Sequence, residues 1–415
     1  MAQIRTQNSK QPRPYAARAA VTSIFFLNGV GAGAWFARIP AVQQGLNLSA
    51  GELGAALLAV AVGALIAMPL IGWAVSRMGS RPVVTCAVLA FAGALALPPL
   101  APSLPLLAAA LLLYGIGAGS LDVSMNSQGV VVERRYGSPI MSSLHAAFSF
   151  GGMAGAALGG LAASRDIGPT PQLAVMAAVI AALGLGATRA LLPASVDAGA
   201  ADAGPAFARP SKALLGLGVI GFCALLSEGA MSDWSAVYLR QDLATGAGLA
   251  AAGYSVFSLT MALGRLAGDW LTARLGPVAL TRGGGVLSAV GLGIALLIGH
   301  PAAALAGFAC VGAGMATIFP LVLSAAGRSP QGAAGPAIAA VATMGYCGFL
   351  AGPPAIGFAA SIATLAVGLG IVVLLGIVIA VLAPAAGAGA NGQTVGISQP
   401  PPVGAASGGE RDAAW

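Results

Sequence analysis

Few residues in this chain could do chemistry, because only 7% of its 415 residues are charged. A carboxyl group inside an apolar stretch therefore stands out, and Asp122 is the clearest case. Gly115, Gly119, Asp122 and Asn126 recur at i, i+4, i+7 and i+11, which sets them on one stripe of a helix. The glycines allow a neighbouring helix to approach closely, and Asp122 with Asn126 adds a polar patch. A carboxyl held away from bulk water could load a proton at one membrane face and release it at the other. The alternative is a hydrogen-bonded carboxyl that clamps neighbouring helices. Glu228 is the second candidate titrating group. For a helix starting near residue 213 it lies roughly 22 Å along, past the midplane of a hydrocarbon core. Asp233 follows toward the far end of the same block, either as a coupling group or as a solvated helix-end charge. Trp234 beside it, like Trp35, reads as an interfacial belt residue, although two aromatic faces at one mouth also suit a sugar-like ligand.

Weaker candidates share these stretches. Asn28, halfway along the first apolar block, could hydrogen-bond solute hydroxyls or another helix. His145 and Ser149 are one turn apart, and His145 could partner Asp122 or serve packing alone. Tyr346 carries the same two readings. Arg38 is expected to snorkel outward, and Pro69, Pro320, Pro353 and Pro354 to bend the helices that contain them. Cys86, Cys223, Cys310 and Cys347 lie in apolar blocks with no CxxC pair and read as small buried hydrophobes. There is no phosphate-cradling glycine loop, metal-ligand cluster or nucleophile–base set. An enzyme, an ATP-driven pump and a bound metal or cofactor are therefore not expected. No arginine or lysine is expected at mid-membrane, which disfavours organic anions and favours a neutral polar or weakly cationic solute.

The elements that must position these groups follow from composition. Hydrophobic residues make up 58% of the chain, and a soluble domain usually carries about a quarter charged residues. The apolar residues recur in blocks of about twenty, the length of a membrane-spanning helix. Twelve spans are expected near 17–38, 52–75, 82–101, 104–131, 139–163, 172–192, 213–239, 248–271, 279–299, 301–325, 335–360 and 364–384. The arrangement reads as a cytoplasmic disordered arm (1–16), a six-helix bundle (17–192), a cytoplasmic linker (193–212), a second six-helix bundle (213–384) and a low-complexity tail (385–415). The basic run before the first span resembles a signal peptide, but it continues into Trp35, Phe36 and Arg38 without a convincing cleavage site and reads as a retained helix. With the N-terminus cytoplasmic, sixteen of the nineteen basic residues fall inside and only Arg38, Arg165 and Arg240 outside. That asymmetry favours both termini inside, and an odd span count would spoil it. The formal charge of +7 therefore reads as topology rather than nucleic-acid binding.

The two halves also repeat. Shifted by 197 residues, Gly-Trp-Ala-Val-Ser-Arg-Met-Gly at 72–79 falls on Asp-Trp-Leu-Thr-Ala-Arg-Leu-Gly at 269–276. Trp73 meets Trp270, Arg77 meets Arg274 and Gly79 meets Gly276. Gly115, Pro139 and Gly151 land on Gly312, Pro336 and Gly348, whereas Asp122 lands on Phe319. Two related halves in parallel are a transporter architecture, with the solute site between them near the midplane.

On these residues the chain resembles the major facilitator superfamily over about 17–384. The loop after the second span is similar to that family's G-x-x-x-D-R-x-G-R-R signature, here Gly72, Arg77, Gly79 and Arg81, with Ser76 in place of the aspartate. In the second half Asp269 lies one turn from Arg265 and could supply a displaced version of that cytoplasmic latch together with Arg274. The fifth span resembles the antiporter motif G-x-x-x-G-P-x-x-G-G, here Gly151, Gly155, Gly159 and Gly160, with Ala156 replacing proline. The stretch Leu121–Ala156 is similar to bacterial carriers of the fucose-permease-like group. The resemblance implies an all-α membrane protein of twelve helices in two pseudo-symmetric bundles. It also implies a monomeric, proton-coupled secondary transporter of a small, possibly sugar-like solute in the bacterial inner membrane. Proton-coupled efflux of small amphiphiles and a membrane sensor that binds a solute without moving it are the alternative readings.

Overall fold

The computed structural model describes residues 14–197, 212–328 and 334–387. Most of the expected arm, most of the linker and most of the tail lie outside those residues, and the last two positions of the arm, Tyr15 and Ala16, already belong to the first helix. The described chain is helical almost throughout. The first half contains α1 (Tyr15–Phe36), α2 (Ile39–Gly45), α3 (Ala50–Met78), α4 (Ser80–Leu95), α5 (Leu104–Tyr136), α6 (Met141–Ser164) and α7 (Pro169–Thr188). The second half contains α8 (Lys212–Gln241), α9 (Ala247–Leu275), α10 (Pro277–Ile298), α11 (Pro301–Met315), α12 (Ile318–Gly327), α13 (Ala334–Ile362) and α14 (Leu365–Leu382). Twelve helical segments among the described residues are long and apolar enough to cross a bilayer, with α1–α2 and α11–α12 each contributing to one segment. Side chains such as Leu70, Val175, Leu183, Leu297 and Leu374 are more than half exposed. Apolar surface of that extent is suited to lipid rather than water.

Proline explains both helix interruptions. Pro40 and Pro320 cannot donate to the carbonyls of Phe36 and Ala316, and their rings crowd those carbonyls. α1 stops at Phe36 and α11 at Met315, and each restarts within a few residues. Pro69, Pro353 and Pro354 lie inside helices that run on unbroken. At the other end of the loop scale, Ser49 and Glu52 close a reciprocal cap at the start of α3, with the Ser49 amide donating to Glu52 at 2.9 Å.

The sequence repeat has a physical counterpart. In the first half α1 packs on α6 and α3 on α5; in the second, α8 packs on α13 and α9 on α11. A Cβ added to Gly115 would lie 2.0 Å from the Val60 carbonyl, and one on Gly312 would lie 2.3 Å from the Phe257 carbonyl. Both members of each pair are related by the same 197-residue shift. Arg77 stacks over Trp73 at 5.4 Å and Arg274 over Trp270 at 4.7 Å. The turns that follow are superposable: Gly79 has φ 78° and ψ 159°, Gly276 φ 77° and ψ 159°. Only glycine occupies that region without strain. Since nothing crowds Gly276, Gly276→Ala isolates the backbone term and should destabilise the purified protein by about 1–3 kcal/mol. Unchanged thermal unfolding of that variant would contradict the assigned turn.

The halves meet most closely at the end opposite the described N-terminal helix start. There Gly54 faces the Pro353 carbonyl and Gly357 the Ala50 carbonyl, with added Cβ atoms at 2.7 and 2.6 Å respectively. Gly160 of α6 lies against Ala251 and Gly248 of α9, and Gln241 donates to Gln43 at 2.8 Å. Arg38 belongs to this closed end. It was expected to snorkel outward, but it is 3% exposed and donates to the carbonyls of Gly159 and Ile167. Those carbonyls lie near and just beyond the end of α6, so two nitrogens of the guanidinium are held from inside the fold while its buried Nε has no partner among the described residues.

Candidate functional site

Part of the spans' polar groups meets where the halves face one another, along the contact of α6 with α9. From α5, Asn126 donates to the Asp122 carboxylate at 3.1 Å and to its backbone carbonyl at 2.9 Å, the one-turn geometry of their spacing. From α9, Arg265 reaches both oxygens of Glu228 on α8, at 3.3 and 3.4 Å, and also donates to Ser149 Oγ on α6 at 2.9 Å. Arg265 thus joins a carboxylate of its own half to a hydroxyl of the other. It forms the one ion pair among the described residues, and its side chain and that of Glu228 are only 14% and 19% exposed. Ser258 donates to the Ser149 carbonyl at 2.8 Å, and Ser142 to the Arg265 carbonyl at 3.0 Å, extending the α6–α9 seam along its length.

Aromatic groups surround this cluster. Tyr346 of α13 sits within electrostatic reach of both Asp122 and Glu228. Its ring meets Phe319 of α12 edge-on at 6.2 Å. Tyr254 lies near Glu228 and Arg265 and packs on Phe36 at 4.8 Å. Tyr114 lies within electrostatic reach of Asp233.

Several residues differ in setting from what spacing suggests. Arg265 is not held by Asp269. That carboxylate is exposed one turn away, while Arg265 turns inward to Glu228. Arg77 and Arg274 lie over their own tryptophans, and Arg81 donates to the Arg189 carbonyl at 3.1 Å. None of the three forms an ion pair among the described residues. His145 is edge-on to Phe25 at 5.4 Å and makes no hydrogen bond to Asp122. Asn28 is buried and donates to Met125 Sδ at 3.7 Å, a contact between α1 and α5. Trp35 and Trp234, expected at a mouth, are 1% and 0% exposed. Trp234 fills the closed seam against Gly357.

The membrane interior, expected to hold no arginine, does hold one. Arg265 lies ten residues before the end of α9, about 15 Å into the helix, too deep for a loop residue. Its charge is matched by Glu228, so the interior holds a paired cation rather than none. Tyr254 and Ser258 went unnoticed because hydroxyls one helical turn apart are common in spans; the signal available was their shared face with Arg265.

The residues from 21 to 353 match the family model of the Major Facilitator Superfamily. The chain belongs to the major facilitator superfamily. An uncharacterized MFS-type transporter of Yersinia pestis is 38% identical over 363 residues, covering 87% of this chain and 93% of that protein. The membrane protein MosC of Rhizobium meliloti is 33% identical, covering 87% of this chain and 88% of its own. Among solved structures, a variant of the nucleoside transporter NupG aligns with a TM-score of 0.70 at 14% identity, over 90% of this chain and 99% of its own. An inward-facing, unoccupied bacterial homologue of the human lysosomal transporter Spinster aligns at 0.66 and 14%, over 92% and 98%. These likenesses establish the fold of the superfamily: twelve membrane helices in two pseudo-symmetric halves. As a superfamily member, the protein is an MFS-type membrane transporter of small-molecule solutes.

Proposed function

We propose that this superfamily member carries a small neutral polar solute, sugar-like in its hydroxyl content, by alternating access coupled to protons. The observation that carries the reading is the polar cluster between the halves. The Arg265–Glu228 pair satisfies its own charges and ties across to Ser149. Among the described residues Asp122 has no ion-pair partner and takes one side-chain hydrogen bond, from Asn126, which suits it to exchange a proton. Hydroxyls of Tyr346, Tyr254, Ser149 and Ser258 supply donors and acceptors suited to an uncharged solute. Similarity of Leu121–Ala156 to fucose-permease-like carriers supports the same solute class. The basic-residue asymmetry supports an inner-membrane protein with both termini cytoplasmic, and the tight seam opposite would then serve as the outer gate. Protonation of Asp122 would bias which face opens, since a proton shifts the equilibrium only by its differential affinity for the two states.

The test begins with a thermal-shift screen of sugars, polyols and nucleosides, followed by flux in reconstituted vesicles at two pH gradients. Asp122→Asn should lower proton-driven uptake at least about tenfold, a loss of about 1.4 kcal/mol, while counterflow exchange of the same solute persists. Undiminished pH-driven uptake in that variant would remove Asp122 from the mechanism. Binding without flux would favour a sensor, and export from inverted vesicles without any sugar effect would favour amphiphile efflux.

A further inference from the structure

Two grooves on the outside of the helix bundle lie at pseudo-equivalent positions. The first runs between α4 and α7 and is lined by Arg81, Thr85, Leu185, Thr188 and Arg189. The second runs between α10 and α14 and is lined by Arg282, Val286, Val290, Ile377 and Val381, among others. The 197-residue shift carries Thr85 onto Arg282, so the second arginine stands about one turn further along its helix than Arg81 does. In each groove an arginine reaches across to a main-chain carbonyl near the end of the facing helix. Arg81 donates to Arg189 at 3.1 Å and Arg282 to Ala380 at 3.4 Å. Both grooves therefore sit at the same membrane face, the one where α4 and α10 begin and α7 and α14 end.

The chemistry of the two grooves is alike. A guanidinium that gives one or two N–H groups to a carbonyl keeps the remainder of its five donors for another acceptor. Beyond each arginine the surface toward the bilayer interior is apolar and open. Leu89 and Leu183 are 46% and 57% exposed beside the first groove, while Val290 and Ile377 are 53% and 49% exposed in the second. A fixed cation above an apolar trough matches a molecule with a phosphate at one end and a hydrocarbon chain at the other. Basic pockets between spans at the positively charged face attract anionic headgroups, at about 1 kcal/mol per arginine. We propose that these grooves are two pseudo-symmetric binding sites for an anionic phospholipid. The phosphate is held by Arg81 and Arg189 in the first and by Arg282 in the second. Two guanidinium groups make the first the tighter of the pair.

Native mass spectrometry of the full chain in a neutral detergent, with phosphatidylglycerol or phosphatidylcholine of the same acyl length, tests this. Two phosphatidylglycerol molecules should stay bound under conditions that strip phosphatidylcholine. Arg282→Gln should weaken one site about fivefold, and the Arg81→Gln/Arg189→Gln double variant should weaken the other by about fivefold per arginine removed. Arg282→Lys should retain its lipid, and Arg165→Gln, on the opposite face, should change nothing. Because the grooves are in separate halves, the Arg282 variants report even if the first-groove variants misfold. Equal retention of the two lipids, or unchanged binding in the glutamine variants, would overturn the proposal. Displacement of phosphatidylglycerol by millimolar inorganic phosphate would also overturn it, by assigning the sites to free phosphate.

Discussion

Alanine at Arg265 should destabilise the protein more than alanine at Arg265 and Glu228 together. Arg265 satisfies both oxygens of Glu228 and bonds Ser149 at 2.9 Å, and both charged side chains are largely shielded. Removing the arginine alone strands a carboxylate among membrane helices. Breaking a buried pair from one side typically costs about 3–5 kcal/mol, whereas truncating both partners leaves no stranded charge and costs only the packing of the two lost side chains. Protonation of the stranded carboxyl would reduce but not erase the difference, since the acid would still lack its partner. Thermal unfolding of the purified single and double variants in one detergent reads the ranking. Additive losses would mean that the two side chains act independently and that the 3.3 Å contact contributes little. Uptake should fall in the double variant despite its recovered stability, because the link from α9 to Ser149 on α6 would be gone.

The second large effect is expected at the crossing of α1 and α6. Gly29 and Gly33 face the carbonyls of Phe148 and Gly152, and Gly151 and Gly155 face those of Phe26 and Val30. At all four positions an added Cβ would stand 2.0 Å from the carbonyl oxygen. The obstructing atom is backbone, so no side chain can rotate away and the helices themselves must separate. Small residues let membrane helices reach this distance, where packing replaces the hydrophobic drive that lipid removes. Gly155→Ala should therefore lose about 1–3 kcal/mol from overpacking, despite a helix-propensity gain of about 1 kcal/mol. Gly93→Ala, in open space on α4, carries the same propensity gain without the clash and should be neutral or stabilising. The measurement is the folded fraction by size exclusion and the unfolding temperature. A Gly155→Ala variant as stable as Gly93→Ala would show that the crossing is looser than described.

How much of this was legible beforehand depended on the physical signal each feature carries. Span length and apolar content follow from the bilayer itself, so the twelve segments could be read from hydropathy. The 197-residue offset reappeared in paired backbone contacts because Gly115 and Gly312 must admit the same neighbouring turn. The glycine spacing of the fifth span likewise marked a face that meets another helix. Facing direction was less legible. Trp234 lies near a span end, where an interfacial residue is the usual reading, but Gly357 on the distant α13 leaves room that buries it completely. Arg265 was assigned to a latch from its one-turn spacing to Asp269, yet partner choice depended on Glu228, 37 positions away. His145 and Asp122 have compatible chemistry, but their helices turn His145 toward Phe25. Hydropathy encodes depth in a bilayer; it carries little information about which inter-helix surface a residue meets.

The proposed coupling makes one direct demand. In sealed vesicles containing the protein, a lumenal pH dye and no imposed gradient, adding the solute that stabilises it should move protons together with that solute. The lumenal pH should change with the solute's transport kinetics, and Asp122→Asn should abolish the change while solute exchange continues. Solute entry with no pH change in the unaltered protein would contradict proton coupling.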